Sequence, residues 1–507
     1  MRKILKLLTS RLMIIGPLIL LQFGLFVSVV YQASLFNKVI PVVEVLAVLA
    51  VLFIINRQRD PYSKLSWCCL ILGLPVIGLP LYFLSGERQV PKKIQNGTIL
   101  ADQKMAGLLG TSRSVRAEER IEPDMRATFS YGERCGFPAY QNTTVSYYAS
   151  GEEWFPDYLE ALRSAKHYIF IEFFILREGS CWEEVLAILK QKIAEGVEVK
   201  IIYDDFGSVE MPWHYDRKLQ AMGIEAHRFN HLRPAFIIQM NNRDHRKITI
   251  IDNRVAFTGG VNLSDEYVNR IRRFGYWKDS ALRLEGEAVW SLTVMFLGLL
   301  THVRGAGGSP IDYEKYHIEH QIAPSSGYVQ PYSDSPTDDE LVALNMHLNI
   351  VNHARDYVYI DSPYLILNET MKDALILAAK NGVDVRILTP GIPDKIIVNQ
   401  MTKGNYLPLL KAGVRIYEYT PGFDHCKNFV ADDRAAIVGT ANTDYRSYYL
   451  HFENGVLLYQ KGAVIQIRED FEQSIEKSRE ITVDDVNSTF ILVRLFRAVL
   501  TLFVPLV

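Results

Sequence analysis

The chain has 507 residues, 49% of them apolar and 22% charged, enough to bury two domain cores and too apolar for a disordered chain. Its net charge of -2 lacks the basic surplus of a nonspecific nucleic-acid binder, so no nucleic-acid partner is expected. Five cysteines, Cys68, Cys69, Cys135, Cys181 and Cys426, show no metal-ligand spacing and do not suggest a disulfide framework.

Three apolar stretches come first: 12–31, 39–55 and 65–85. Their lengths approach the ~20 residues that cross a bilayer, so residues 1–86 are expected to form a membrane anchor of about three spans. Pro75 and Pro80 make the third a candidate for a kinked or re-entrant segment. A cleaved signal peptide fits the basic Arg2, Lys3 and Lys6, but the first run is too long for one and two more runs follow. The flanking charges conflict over sidedness. Arg2, Lys3, Lys6 and Arg11, with Arg57, Arg59 and Lys64, favour those regions inside; three spans then send the body out, whereas Arg88, Lys92 and Lys93 argue for its retention. The side of the body stays open.

Residues 87–125 read as a linker, and the soluble-type remainder contains a repeat. "AKHYIFIEFFIL" (165–176) matches "ARDYVYIDSPYL" (354–365), each a helix end followed by a strand bearing an acid, Glu172 or Asp361. "LKQKIAEGVEVKIIYDD" (189–205) matches "LILAAKNGVDVRILTPG" (375–391), a helix closed by Gly196 or Gly382 and followed by a β-branched strand. The expected fold is α/β: two pseudo-symmetric halves, 126–315 and 316–480, with mixed sheets flanked by helices, behind N-terminal transmembrane helices. In the tail, 481–507, apolar residues surround Arg494 and Arg497, the pattern of an interfacial helix.

The repeat also carries the chemistry. "HRKITIIDNRVAFTGGVN" returns as "HCKNFVADDRAAIVGTAN", aligning His245 with His425, Lys247 with Lys427, Asp252 with Asp432 and Asn262 with Asn442. One H-x-K-x4-D match in a chain this long arises by chance roughly a few times in a hundred, so two in register exclude mere decoration of strand faces. Two imidazoles, two ammonium groups and two amides around one point suit a phosphodiester. One histidine can attack phosphorus while the other handles the leaving group's proton, with Lys247, Lys427, Asn262 and Asn442 on the phosphate oxygens and no metal required. Each imidazole also needs an orienting carboxylate. Asp279 and Glu453, each opening a strand after an aromatic-rich turn, are the expected acids, with Asp279 assigned to His245. Asp252 and Asp432 are counted with the catalytic set by their place in the motif, but their strand ends equally suit turn or ion-pair residues. Cys426 aligns with Arg246 and is read as a neighbour without a direct role, and His214, His227, His231 and His451 as surface or core histidines.

The paired H-x-K-x4-D-x6-G-x2-N motifs resemble the signature of the phospholipase D superfamily. Together with "RDPYSKLSW", "YIFIEFFIL", "YDDFGS", "NNRDHRKI", "FGYWKDSALRLEG" and "HFENG", they resemble the bacterial cardiolipin synthases within it. That resemblance implies two phospholipase D-like halves, no cofactor or metal, and a multi-pass protein of the bacterial cell membrane. It also implies transfer of a phosphatidyl group from one phosphatidylglycerol, through a phosphohistidine, to a second phosphatidylglycerol, giving cardiolipin and glycerol. His245 is implied as nucleophile and His425 as general acid/base, with a symmetry that allows the reverse. Phosphatidylglycerol and the lipid bilayer are the expected partners, and an oligomer is compatible with the pattern. A hydrolytic phospholipase D and a transferase with another acceptor, such as phosphatidylethanolamine, remain as alternatives. A nuclease would not need the apolar spans, and a non-catalytic scaffold predicts a broken motif, which neither half has. An apolar tunnel around Phe173, Phe174 and Tyr364 is expected to keep water from the intermediate.

Overall fold

Alternating β-branched and aromatic residues produce two sheets in the computed structural model, which describes residues 40–56, 61–85, 107–109, 121–232, 241–305 and 308–501, with Gly24 and Ser28. Apart from Gly24 and Ser28, the stretch 12–31 lies outside the described residues, as do most of the linker and the last six residues.

The first half contributes β1 (Thr143–Tyr148), β2 (Tyr168–Phe173), β3 (Glu198–Asp204), β4 (Glu225–Phe229), β5 (Lys247–Ile251), β6 (Val255–Gly259), β7 (Tyr276–Lys278) and β8 (Ala281–Gly286). The second contributes β9 (Tyr328–Asp334), β10 (Tyr357–Asp361), β11 (Asp384–Pro390), β12 (Arg415–Tyr419), β13 (Gly422–Asp424), β14 (Asn428–Ala431), β15 (Ala435–Gly439), β16 (Glu453–Tyr459) and β17 (Ser478–Ile481). Strand order in the first sheet is β1-β8-β6-β5-β2-β3-β4, and in the second β9-β16-β15-β14-β10-β11-β12, extended by β17 at the edge. The orders superimpose element for element, so the duplication legible in the sequence is a duplication of topology.

In each half a parallel trio (β2, β3 and β4; β10, β11 and β12) meets an antiparallel set at the motif strand, β5 or β14. Both faces are covered, and β5, β6, β14 and β15 are buried throughout. This is why they read as nearly continuous apolar runs. The helix Val289–Arg304, buried along Val289–Leu300, lies in a core shared by the two halves. A third, two-stranded sheet pairs β7 of the first half with β13 of the second, in parallel.

The N-terminal segment departs from three simple spans. Helix α1 (Ile40–Asn56) has 17 residues, about 25 Å of helix. The stretch 65–85 is two helices, α2 (Pro61–Gly73) and α3 (Pro75–Ser85), broken at Leu74 because the residue before a proline is driven from helical geometry. The two helices fold back on each other. The Trp67 and Tyr82 rings meet at 5.3 Å, whereas fifteen residues of straight helix would hold them ~22 Å apart. At the crossing, a Cβ on Gly78 would lie 2.6 Å from the Leu70 carbonyl oxygen, so the approach requires glycine. No described helix is long and apolar enough to cross a membrane.

Candidate active site

The two motif strands bring His245 and His425 to the seam between the halves, and backbone register decides what each histidine meets. Asp244 bridges Phe452 in parallel, which sets the next residues, His245 and Glu453, side by side. Lys278 pairs with Asp424 in parallel, which sets Asp279 beside His425 in the same way. Accordingly, the His245 amide donates to the Phe452 carbonyl at 2.9 Å, and its Nδ1 lies 2.9 and 3.0 Å from the two Glu453 carboxylate oxygens. The His425 amide donates to the Lys278 carbonyl at 2.7 Å, and its Nδ1 lies 2.6 Å from Asp279 Oδ2. Each histidine is thus oriented by the acid of the opposite half. The expectation that Asp279 serves His245 is corrected: the seam pairs neighbours in space that are 146 and 208 residues apart in sequence.

A carboxylate on Nδ1 holds the proton there and leaves Nε2 with its lone pair. Burial drives His245 down to about 3 despite the nearby Glu453, so its imidazole is neutral at physiological pH. Burial also pushes Glu453 up, but its electrostatic coupling to His245 and the hydrogen bonds with His245 and His451 outweigh it and hold that carboxyl well below its usual range. The other pair differs. Burial raises Asp279 to about 6 against the pull of Lys427, and burial with Lys427 and Lys247 holds His425 well below the normal histidine range.

Lys247 and Lys427 each donate to the carbonyl of the histidine two residues earlier, and Lys427 Nζ also lies 2.9 Å from His425 Nδ1. Burial lowers both lysines, Lys247 to about 7, against acids of both halves that pull them up, Glu453 and Asp279 among them. Asn262 accepts from the Ile175 amide through Oδ1, at 2.9 Å, while its amide nitrogen stays buried near Tyr267 with an N–H to offer. Asn442 donates to Asp444 at 3.2 Å and leaves its Oδ1 buried.

Aromatic rings wall both imidazoles. Phe174 meets His245 edge-on at 4.9 Å, and Tyr267, Trp277 and Phe423 surround His425 at 5.2 to 5.6 Å. Tyr364 donates to Asp394 at 2.7 Å, and the Phe423 ring lies 6.5 Å from it. Phe173 is buried in the sheet facing Lys247 across the β2–β5 ladder.

Asp252 and Asp432 stand apart from this cluster, correcting their place in the catalytic set. They lie at the far ends of β5 and β14, five residues or ~17 Å of strand beyond Lys247 and Lys427. Asp252 accepts from the amides of Lys166, His167 and Tyr168 at 2.7 to 2.8 Å, and Asp432 from those of Arg355, Asp356 and Tyr357 at 2.9 Å. They fix the turn that feeds β2 and β10. Their own backbones are left-handed, φ 54° and 55°, a conformation aspartate tolerates.

His451, read from the sequence as a bystander, is buried beside His245, ring centroids 5.4 Å apart, with Nδ1 3.5 Å from Glu453. The signal was its spacing: two residues before Glu453 in an extended segment, it faces the same side. His245, His451 and Glu453 are close enough to share a cation, but the two ammonium groups at the seam make it a site for an anion. Cys426 is sealed, its thiol pushed up by burial, and is unfit as a nucleophile. A cavity of about 960 Å³ opens at Asn253, the opposite end of β5 from His245.

Comparison with known proteins agrees with this architecture. The family model "Cardiolipin synthase, PLD-like domain" matches residues 158–274 and 348–475, one match per half. "Phospholipase_D-nuclease N-terminal" matches 45–87. A protein of Streptococcus mutans is 41% identical, covering 90% of this chain and 99% of its own, and cardiolipin synthase 1 of Bacillus anthracis is 32% identical, covering 92% of each. Among solved structures, phosphatidylserine synthase of Haemophilus influenzae superimposes with a TM-score of 0.57 at 14% identity, over 76% of this chain and all of its own, a likeness of fold.

Proposed function

We propose a reaction for this chain on the premise that it belongs to the cardiolipin synthase family of phospholipase D-like proteins. It is a phosphatidyl transferase of the cardiolipin synthase type, with phosphatidylglycerol as both donor and acceptor. His245 Nε2 attacks the phosphorus of the first phosphatidylglycerol. The P–N bond forms, the P–O bond to glycerol breaks, and His425 gives its proton to the leaving oxygen. The hydroxyl of the second phosphatidylglycerol then attacks phosphorus, loses its proton to His425 and releases His245, giving cardiolipin.

The observation that carries this reading is the crossed pairing of each histidine with the other half's carboxylate. Ionised Glu453 holds the Nδ1 proton of His245, exposes Nε2 and balances the positive charge that phosphorylation places on the ring. Asp279, raised by burial to about 6, and Lys427, lowered by burial, surround His425. An entering phosphate anion raises the affinity of His425 for the proton it must donate. Lys247 and Lys427 take the non-bridging oxygens, and the Asn262 amide offers a further donor.

A lipid substrate also accounts for the exposed apolar residues. In the helix Ile491–Thr501 and just before it, Phe490, Ile491, Leu492, Leu495 and Phe496 face outward, and Ile396 and Ile397 lie exposed on the helix packed against it. We assign this patch to the membrane interface, and residues 1–86 to the anchor.

Purified protein supplied with labelled phosphatidylglycerol is expected to yield cardiolipin and glycerol. Phosphatidic acid as the product would make the chain a hydrolase, and an N-phosphatidyl product formed only when phosphatidylethanolamine is added would change the acceptor.

A further inference from the structure

We propose that α2 and α3 form a re-entrant hairpin that enters one leaflet and returns, keeping the catalytic body on the same face of the bilayer as residues 57–64, the cytoplasmic face. This rests on the membrane anchoring proposed above and settles a sidedness that anchoring alone leaves open.

The helices α1, α2 and α3 pack around a small core of Ala47, Ile54, Trp67, Ile71, Leu79 and Tyr82. Outside it the surface is also apolar. Val45, Leu49 and Leu52 on α1, Leu72 and Leu74 at the hairpin tip, and Phe83 on α3 are all about half exposed or more. A helix apolar on every side belongs in lipid. The arms of the hairpin, 13 and 11 residues, extend about 20 and 16 Å, and neither crosses a hydrocarbon core ~30 Å thick.

The tip is built for a dry environment. The break at Leu74 leaves its amide donating to the Leu70 carbonyl at 3.0 Å, while the amides of Ile77 and Gly78 donate to the Leu74 carbonyl. Main-chain donors at that depth must be paired, because no water is there to satisfy them.

The open end is built for the interface. Lys64 Nζ reaches the Ile55 carbonyl, at 3.0 Å, in the last turn of α1, and Asn56 Nδ2 donates to the Leu52 carbonyl. The end of α1 and the start of α2 therefore share one polar level. Trp67 and Tyr82, in contact across the two arms, sit within six residues of the α2 start and three of the α3 end, where aromatic belts lie.

The charge conflict then disappears. If 65–85 crossed the membrane, Arg57, Arg59 and Lys64 would lie opposite Arg88, Lys92 and Lys93. With a hairpin both clusters lie on one face, as the rule that basic loops stay inside requires.

The test is a pair of single cysteines, Gln58→Cys and Gln89→Cys, in the full chain. Cys68, Cys69 and Cys135 are replaced by serine, and the buried Cys181 and Cys426 are kept. Intact spheroplasts are treated with a membrane-impermeant maleimide before and after permeabilisation, and denatured protein shows that each thiol reacts. Gln58→Cys and Gln89→Cys are expected to label only after permeabilisation. Labelling of 58 and 89 from opposite faces, or of both from outside, overturns the proposal. Cardiolipin formation by the same membranes reports separately on the reaction, so an inactive protein with the expected labelling leaves the hairpin standing.

Discussion

The two halves share a strand order but provide for their histidines differently. At the first, Glu453 is longer, accepts a hydrogen bond from the Thr440 hydroxyl, and has His451 beside it. At the second, the shorter Asp279 lies against Gly260, the position that aligns with Thr440. A Cβ on that glycine would fall within 2 Å of the carboxylate, so no hydroxyl can stand there. Glu453, coupled to His245 and His451, is held well below its usual range, while burial raises Asp279 to about 6. The neighbours diverge as well. Arg246 neutralises Glu172 and Asp244 within its own half, but the aligned Cys426 cannot pair with acids, and Lys278 crosses the seam to lie near Cys426 and ion-pair with Asp470 at 2.6 Å. Duplication supplied two equal sets. The seam gave each histidine a different carboxylate and different neighbours.

The largest expected effect breaks that comparison at its centre. His245→Ala should abolish the phosphatidyl-enzyme and lower turnover by about 10⁴-fold or more, whereas His425→Ala should leave a detectable adduct and lose about 10²- to 10⁴-fold. Quenched-flow mass spectrometry of the adduct peptide checks this, and an adduct on residue 425 of the wild type would reverse the roles.

Next are the lysines. Lys247, lowered by burial to about 7, carries its charge below that pH and loses it above. Phosphatidylglycerol capture should therefore weaken as pH rises through about 7, seen as a rising KM. Lys247→Arg, charged throughout the range, should remove this alkaline limb. An unchanged limb would assign it to another group.

The smallest effect on chemistry is expected at the motif aspartates. Asp252→Asn and Asp432→Asn should each cost about 1–3 kcal/mol of stability by weakening charge-assisted bonds to backbone amides. Adduct formation per folded molecule should be nearly unchanged. Thermal melts with active-site titration separate the two, and a loss of adduct without a loss of stability would return these residues to the catalytic set.

The sequence made the fold legible where a feature was local and repeated. Helix, glycine and β-branched strand recur in order, and the motif strands align at a constant spacing of 180, so both halves, both histidines and both lysines could be found. What lay across the seam could not. That Asp244 bridges Phe452 and Lys278 pairs with Asp424 is a property of docking, and it exchanges the partners that chain order suggests. The aspartates misled because a motif records what is invariant in spacing, and anchoring a turn fixes spacing as firmly as chemistry does. At the N-terminus, hydropathy saw one apolar stretch where Pro75 makes two arms, and apolarity is the same whether a chain crosses or returns.

The central claim is the crossed pairing, and the most direct test is to remove each carboxyl's charge alone and measure the rate of phosphatidyl-histidine formation at residue 245. Glu453→Gln should slow it about 10²-fold or more, since the nucleophile loses the acid that orients it. Asp279→Asn should act mainly through His425, on the pH dependence and on release to the acceptor. Loss of adduct formation at His245 in Asp279→Asn, with Glu453→Gln close to wild type, would contradict the account.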